Sequence, residues 1–227
     1  MSASIALRGD HGAAKLWGAP VPPLTLIGPA GETTLPPPAL HFTQDAEIYA
    51  EGDEAVYLYK VVSGMVRTCK FQTDGRRHVD AFHGQGDVFG FELGAEHALS
   101  AEAVTECAVI PYRRRVLESK AAQDETVARQ LYRYAMQSLE RTRQHAQLLG
   151  RASAPQKLAV FLLDLAGPRG AAVDLAMTRH DIADYLGLTI ETVSRTLSHL
   201  ERDGVLHLIT ARQIEIRDRA ALRTLCG

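Results

Sequence analysis

Two helical patterns of apolar residues, separated by a single glycine, occupy residues 178–202. Their apolar faces are formed by Ile182, Ala183 and Leu186 and by Val193, Leu197 and Leu200. Thr178 and Thr189 stand where N-caps are expected, and Asp181 lies at the spacing of a capping box with Thr178. Gly187 can adopt the left-handed conformation that ends a helix. The pattern predicts two short helices joined by a tight turn, which is a helix-turn-helix.

Two β-type runs, residues 205–209 and 213–217, follow the second helix. Residues 210–212 lie between them and predict a hairpin, which would be the wing of a winged helix-turn-helix domain. Asp218 then stands at the N-cap of a last helix, whose apolar residues are Ala221, Leu222 and Leu225. This completes a carboxy-terminal domain over residues 150–227.

A β-rich region precedes that domain. Runs of β-branched and aromatic residues cover positions 47–49, 55–62, 65–71, 78–82 and 103–110. Turn signals such as Ser63-Gly64 and residues 84–87 separate the runs, and many short strands at close spacing predict a jelly-roll-like antiparallel β-roll over residues 41–122. The first 40 residues are rich in proline, alanine and glycine, which predicts a loosely ordered arm.

Residues 123–149 predict one long helix that is apolar on two sides. One stripe consists of Val127, Leu131, Tyr134, Ala135, Thr142, Ala146 and Leu149, and a second consists of Tyr132, Met136 and Leu139. We assign one side to the roll and the other to the same helix of a second subunit, and we take the first stripe as the dimerisation surface. The alternative is one wide stripe buried within a monomer.

The second helix of the helix-turn-helix carries Glu191, Ser194 and Arg195 on a face other than its apolar stripe. Arginine can donate two hydrogen bonds to guanine, and glutamate can accept one from the cytosine amino group. The alternative is an ordinary solvated face, but the cap, the glycine turn and the buried stripe together favour a DNA reader. The full set of expected DNA contacts is Thr178, Arg179, Thr189, Ile190, Glu191, Thr192, Ser194, Arg195 and His199.

The composition is that of a globular chain, with 46% hydrophobic and 23% charged residues in 227. The sequence contains no long apolar run and no signal-peptide pattern, and its three cysteines are far apart, so we expect a cytoplasmic protein without membrane contact. The net charge is −4 over residues 1–122 and +1 over each of 123–149 and 150–227. Phosphate attraction should therefore be modest, and base reading should carry more of the discrimination. No nucleophile, metal or phosphate-loop motif occurs, so we do not expect an enzyme.

The chain resembles the CRP/FNR family of transcription regulators from about residue 41 onward. The most specific matches are residues 51–53, Ser63-Gly64, residues 84–90, residues 151–163 and residues 186–195. The Glu191-Thr-Val-Ser-Arg195 sequence is similar to that of the FNR and FixK branch, and residues 89–93 and 96–102 look closest to FixK-type members. The resemblance implies an α+β fold with a roll like that of cyclic-nucleotide-binding domains. It also implies a homodimer that reads TTGAT and its inverted copy ATCAA across four base pairs, and an activator that contacts RNA polymerase.

Departures from the family decide what we expect the roll to sense. Members that bind cAMP carry an Arg-Ser pair whose arginine holds the cyclic phosphate, and here the pair is Leu99-Ser100. Iron-sulfur members carry an amino-terminal cysteine cluster, and here no cysteine precedes Cys69. His78, His83 and His97 are conceivable haem ligands, although isolated histidines are more often structural. We therefore expect no cofactor and no metal. The alternative is a small-molecule or redox sensor whose roll ligand switches the affinity for DNA.

Overall fold

The computed structural model describes residues 37–151, 153–167 and 170–226, and of Arg151 only the backbone. Apart from residues 37–40, the predicted amino-terminal arm lies outside the described residues. Within the described part, a β-roll, one long helix and a small carboxy-terminal domain follow one another along the chain.

Eight strands form the roll as two antiparallel four-stranded sheets. They are β1 Leu40–Phe42, β2 Glu47–Tyr49, β3 Tyr57–Ser63, β4 Val66–Phe71, β5 Arg77–His83, β6 Val88–Phe89, β7 Ser100–Ala103 and β8 Cys107–Arg113. One sheet has the order β1-β8-β3-β6 and the other β2-β7-β4-β5. Their facing side chains, among them Tyr49, Val61 and Phe89, form a core of the roll.

The prediction of a single strand over residues 103–110 was wrong. Strand β7 ends at Ala103, and β8 begins at Cys107 in the other sheet. A turn at residues 104–106 separates the two strands. Two hydrogen bonds to Met65 hold this turn: the Val104 amide donates to the Met65 carbonyl at 2.8 Å, and the Thr105 hydroxyl accepts from the Met65 amide at 3.1 Å. The apolar residues on both sides of this turn hid it from the sequence pattern.

Two helices follow the roll, α1 over Arg114–Ala121 and α2 over Glu125–Arg151. The sequence pattern did not predict α1. It did predict α2, to within two residues at each end. On one side of α2, Tyr134 packs with Leu117 of α1 and with Leu58, Val88 and Tyr112 of the roll.

In the residues that the structure describes, the carboxy-terminal domain has four helices and a three-stranded sheet. Its elements are α3 Ala154–Ala166, β9 Ala172–Asp174, α4 Arg179–Leu186, α5 Ile190–Arg202, β10 Leu206–Leu208, β11 Gln213–Ile216 and α6 Arg219–Thr224. Strands β10 and β11 form the predicted hairpin, and β9, which was not predicted, pairs with β11. The wing is therefore a three-stranded antiparallel sheet rather than an isolated hairpin.

The predicted local signals of the helix-turn-helix are confirmed. Thr178 and Asp181 form a capping box at the start of α4, and the Thr189 hydroxyl accepts from the Thr192 amide at the start of α5. Gly187 ends α4 in the left-handed conformation, with φ 61° and ψ 44°. Because L-residues other than glycine rarely adopt these angles, the glycine allows the tight turn between the two helices.

Candidate DNA-binding interface

Helix α5 is buried along one stripe and exposed on the opposite face. Val193, Leu197 and Leu200 are at most 4% exposed and lie in the core of the carboxy-terminal domain with residues of α3 and α4. Glu191 and Arg195 are exposed on the other face, and Ser194 is half-buried between them. The packing thus holds α5 from behind and leaves the predicted reading residues at the surface, near the amino-terminal end of the helix.

The environment of Glu191 keeps its carboxyl ionised. The hydrogen bond from its own backbone amide and the one from the Thr189 hydroxyl lower the pKa of Glu191, and the charge of Arg195 acts in the same direction. An ionised carboxylate is only an acceptor of hydrogen bonds. Glu191 therefore has the chemistry that recognition of a cytosine amino group requires.

The other expected contact residues occupy different environments. Ile190 and His199 are exposed on α5, whereas Thr192 is half-buried. His199 pairs with Asp203 through Nδ1 and Oδ2 at 2.7 Å. Arg179 is half-buried at the start of α4, and its Nη1 approaches the Ser194 hydroxyl at 3.4 Å. Arg179 therefore lies next to Ser194, beside the row of predicted base-reading residues Glu191, Ser194 and Arg195.

The wing supplies an exposed basic residue that the sequence reasoning did not single out. Arg212 lies at its exposed tip beside Thr210, whose hydroxyl accepts from the amides of Arg212 and Gln213. Ile209 on the same turn is 55% exposed. The signal was present in the sequence, because a basic residue in a predicted wing is a candidate phosphate contact.

The two sides of α2 do not divide as the two predicted stripes do. Val127 and Tyr134, which we expected at a subunit interface, are 2% and 4% exposed and lie within the protomer core. Leu131 packs against the cluster that contains Tyr134 and Leu117, and Leu149 is half-buried. The exposed residues of the two stripes together form a single row, which we call the α2 stripe: Tyr132, Ala135, Met136, Leu139, Thr142 and Ala146.

Aromatic rings pack against one another in the interior of the roll. Tyr49 stacks on His97 with ring centroids 3.6 Å apart, and Tyr59 stacks on Phe89 at 5.4 Å. The Ser100 hydroxyl accepts from the Glu51 amide at 2.9 Å. His97 and Ser100, which follow β6, are thus engaged with Tyr49 and Glu51 at the end of β2.

The candidate cofactor ligands do not converge. His83 is buried, and burial lowers its pKa to about 4. The ring of His97 stacks on Tyr49, while the ring centroid of His78 lies 6.0 Å from that of His145. Burial, followed by the charge of Glu102, raises the pKa of Cys69 to about 12, so its thiol stays protonated. Among the described residues, no three histidine, cysteine or acidic side chains come together as metal ligands.

A cavity of about 50 Å³ lies between β5, α2 and Tyr185. Its polar lining includes Asp80, His83, Arg141 and His145. A cavity that holds one water needs about 10–15 Å³, and ligand pockets usually measure about 300–1,000 Å³. This cavity has room for a few waters. None of the helices in the described ranges combines the length and the hydrophobicity that a membrane span requires.

Comparison with known proteins matches both halves of the chain. Residues 39–124 match the model of the cyclic nucleotide-binding domain, and residues 156–225 match that of the Crp-like helix-turn-helix domain. The nitrogen fixation regulation protein FixK of Azorhizobium caulinodans is 46% identical over 191 residues, covering 81% of this chain and 77% of that protein. FixK of Rhizobium meliloti is 42% identical over 183 residues, covering 80% and 83%.

A solved structure agrees with these matches. The structure of FixK2 from Bradyrhizobium japonicum superposes with a TM-score of 0.78 at 44% identity, covering 84% of this chain and 98% of that one. The relatives are regulators of transcription and not enzymes, which confirms the expectation drawn from the missing catalytic motifs.

Proposed function

Because the chain belongs to the CRP/FNR family of transcription regulators, in its FixK-like branch, we propose that it binds the palindrome TTGAT-N4-ATCAA as a homodimer. The observation that carries this proposal is the row of Glu191, Ser194 and Arg195, held on the open face of α5 by a buried stripe behind it. Arg195 would donate to a guanine and Glu191 would accept from a cytosine. Arg179 and Arg212 would contact phosphates beside the bases.

The α2 stripe supports the homodimer. Tyr132, Ala135, Leu139, Thr142 and Ala146 are spaced alternately by three and four residues, which is the spacing of a coiled-coil seam. Tyr132 is 66% and Leu139 42% exposed in the single chain, although both are apolar. Pairing two such helices about a two-fold axis would cover them, and it would present two reading helices to a palindrome.

We further propose that DNA binding requires no cofactor. Leu99 cannot make the phosphate contact of an arginine, and Ser100 is engaged with the Glu51 backbone. The stacked rings of Tyr49 and His97 occupy part of the roll's interior, and the cavity of about 50 Å³ is too small for a nucleotide, which supports the same view. The sensor alternative would require a ligand that binds two states of the protein with different affinity.

Purified protein should bind the palindromic duplex without any additive. We expect a colourless protein whose affinity for this duplex is unchanged by cAMP. An absorption spectrum and metal analysis of protein purified without oxygen, followed by DNA titration with and without cAMP, measures all three properties. A visible chromophore, bound iron or tighter binding with cAMP would support the sensor alternative.

We propose activation as the direction of regulation, through a contact with RNA polymerase. Transcription in vitro from a promoter that carries the palindrome upstream should rise when the protein is added to purified polymerase. The same promoter with a scrambled palindrome serves as the control. A fall in transcript from the intact promoter would identify a repressor.

A further inference from the structure

A cluster of charged side chains joins the roll to the helix-turn-helix domain. We call it the interdomain charge cluster: Arg67 of β4, Arg77 of β5, Glu102 of β7, and Asp181 and Asp184 of α4, with Asp45 at its edge. Arg77 donates from Nε to Asp184 Oδ2 at 2.9 Å and from Nη2 to Asp181 Oδ1 at 2.5 Å. Arg67 Nη1 donates to the same Asp181 oxygen at 3.1 Å. Two guanidinium groups of the roll thus hold two carboxylates of α4, a helix of the carboxy-terminal domain, which we also call the reading domain.

The cluster is largely removed from water. The side chain of Asp181 is 2% exposed, that of Arg67 8%, and those of Arg77 and Asp184 17% and 15%. A charge at such a site is costly unless a partner of opposite sign lies within reach. The paired state therefore depends on one placement of α4 against the roll. Separation of the two domains takes Asp181 and Asp184 away from both guanidinium groups and leaves Arg67 and Arg77 with only the carboxylates of the roll, Glu102 and Asp45.

Asp181 connects this placement to the reading helix. Its Oδ2 accepts from the backbone amide of Thr178 at 2.9 Å and from the Thr178 hydroxyl at 2.7 Å, so the residue that docks on the roll also caps α4. Ile182 and Leu186 of α4 share one buried core with Val193 and Leu197 of α5. Fixing α4 against the roll consequently fixes the direction of α5.

Apolar contacts accompany the ionic ones. Phe82 of β5 lies with its ring centroid 5.3 Å from that of Tyr185 on α4, and Cys69 and Val79 join the core of the carboxy-terminal domain. Apolar burial brings surfaces together but has little directional preference. Hydrogen-bonded arginine–carboxylate pairs do have a preferred geometry. The ionic pairs thus give the contact between the roll and α4 a preferred orientation.

We propose that Arg67 and Arg77 are positioning residues for DNA recognition, which hold the reading helix at the angle and separation that a palindrome requires without contacting DNA. The proposal rests on the proposed function as a dimeric reader. Apparent affinity falls in proportion to the fraction of domains in the competent placement. Because a palindrome needs two such domains, that fraction enters twice, whereas a single half-site needs only one.

The sharpest variant is Arg77→Ala, since most of its partners lie across the domain boundary. We expect its affinity for the palindrome to fall on the order of 10–100-fold. The slope of log affinity against log salt should stay unchanged, because loss of one phosphate contact would reduce it by about one. Binding to a duplex with one half-site should fall only by the square root of the factor for the palindrome, roughly 3–10-fold, and insertion of one base pair between half-sites should weaken the variant less than the wild type.

Two further variants make the test specific. Asp184→Ala removes a carboxylate that Arg77 binds. The double variant Arg77→Ala with Asp184→Ala should bind the palindrome no more weakly than the weaker-binding of the two single variants, since the effects of coupled residues are not additive. Arg76→Ala is the matched control, because Arg76 lies beside Arg77 in sequence but its side chain pairs, among the described residues, only with the exposed Asp74 on its own hairpin. It should bind as the wild type does. Equal palindrome affinity and equal spacing preference in Arg77→Ala and Arg76→Ala would overturn the proposal.

A measurement without DNA separates this proposal from the function on which it rests. In 15N relaxation of the full chain, the roll and the reading domain of the wild type should tumble as one body, whereas those of Arg77→Ala should tumble more independently. Identical relaxation in both proteins would refute the positioning role, even if no duplex is bound. Failure of the wild type to bind the palindrome would refute the proposed site, whereas domains that separate only in the variant would still show that Arg77 holds the carboxy-terminal domain against the roll.

Discussion

Replacing Arg195 by alanine should remove most of the preference of the protein for its palindrome over a scrambled duplex. A bidentate arginine–guanine contact discriminates by about 1–3 kcal/mol. Since a dimer uses the contact twice, the expected loss of specificity is about 2–6 kcal/mol, or roughly 30-fold to 25,000-fold in the ratio of affinities. Arg195 is exposed and outside the core of its domain, so the variant should fold normally.

Arg202→Ala is the matched control for this result. Arg202 lies two turns further along α5 on a similar face and is also exposed, but reading helices contact bases mainly with their amino-terminal residues. Loss of the Arg202 side chain should leave the ratio of affinities for the palindrome and the scrambled duplex intact.

Glu191→Ala should relax the preference at one base pair of each half-site, as competition with singly substituted duplexes would reveal. An unchanged ratio in Arg195→Ala would defeat the assignment of α5 as the reader.

A Leu139→Asp variant should be monomeric and should lose nearly all binding to the palindrome. Leu139 is central in the α2 stripe and 42% exposed in the single chain, so the charge does not disturb the protomer core. In a helix–helix seam, two aspartates would face each other without partners, which is strongly unfavourable. Because the half-sites would then be bound independently, the gain from binding both at once disappears.

Sedimentation of Leu139→Asp, followed by DNA titration, measures both effects. Gln147→Asp is the control, because Gln147 is exposed on the same helix but lies beside the stripe rather than on it. It should remain dimeric. If both variants sediment as dimers, the seam lies elsewhere, and the α2 stripe needs another explanation.

The sequence predicted the features that depend on neighbours close in the chain. The caps at Thr178 and Thr189 and the turn at Gly187 follow from contacts within three or four residues, so a local pattern contains all the information. The helical period of α2 was also visible. Which neighbour each side of it meets was not, because periodicity reports that a residue is apolar and not what covers it. Val127 and Tyr134 were therefore assigned to the wrong surface.

The interdomain charge cluster was out of reach for the same reason. Arg77 and Asp184 are 107 positions apart, and nothing near either residue marks it as one half of a pair. In the sequence, Arg77 is one of two arginines after a turn glycine, and Asp184 is one polar residue on an amphipathic helix. Only the folded chain shows that the two side chains meet.

The double role of Asp181 limits how freely these two domains can be exchanged. A carboxy-terminal domain moved onto another roll carries with it a carboxylate that caps its helix α4 and also needs two guanidinium groups on adjacent strands of the host. A host without an arginine pair at these places would accept the graft only loosely. Chimeras within this family should therefore keep β4, β5 and α4 from one parent, so that recombination respects this junction rather than the linker between the domains.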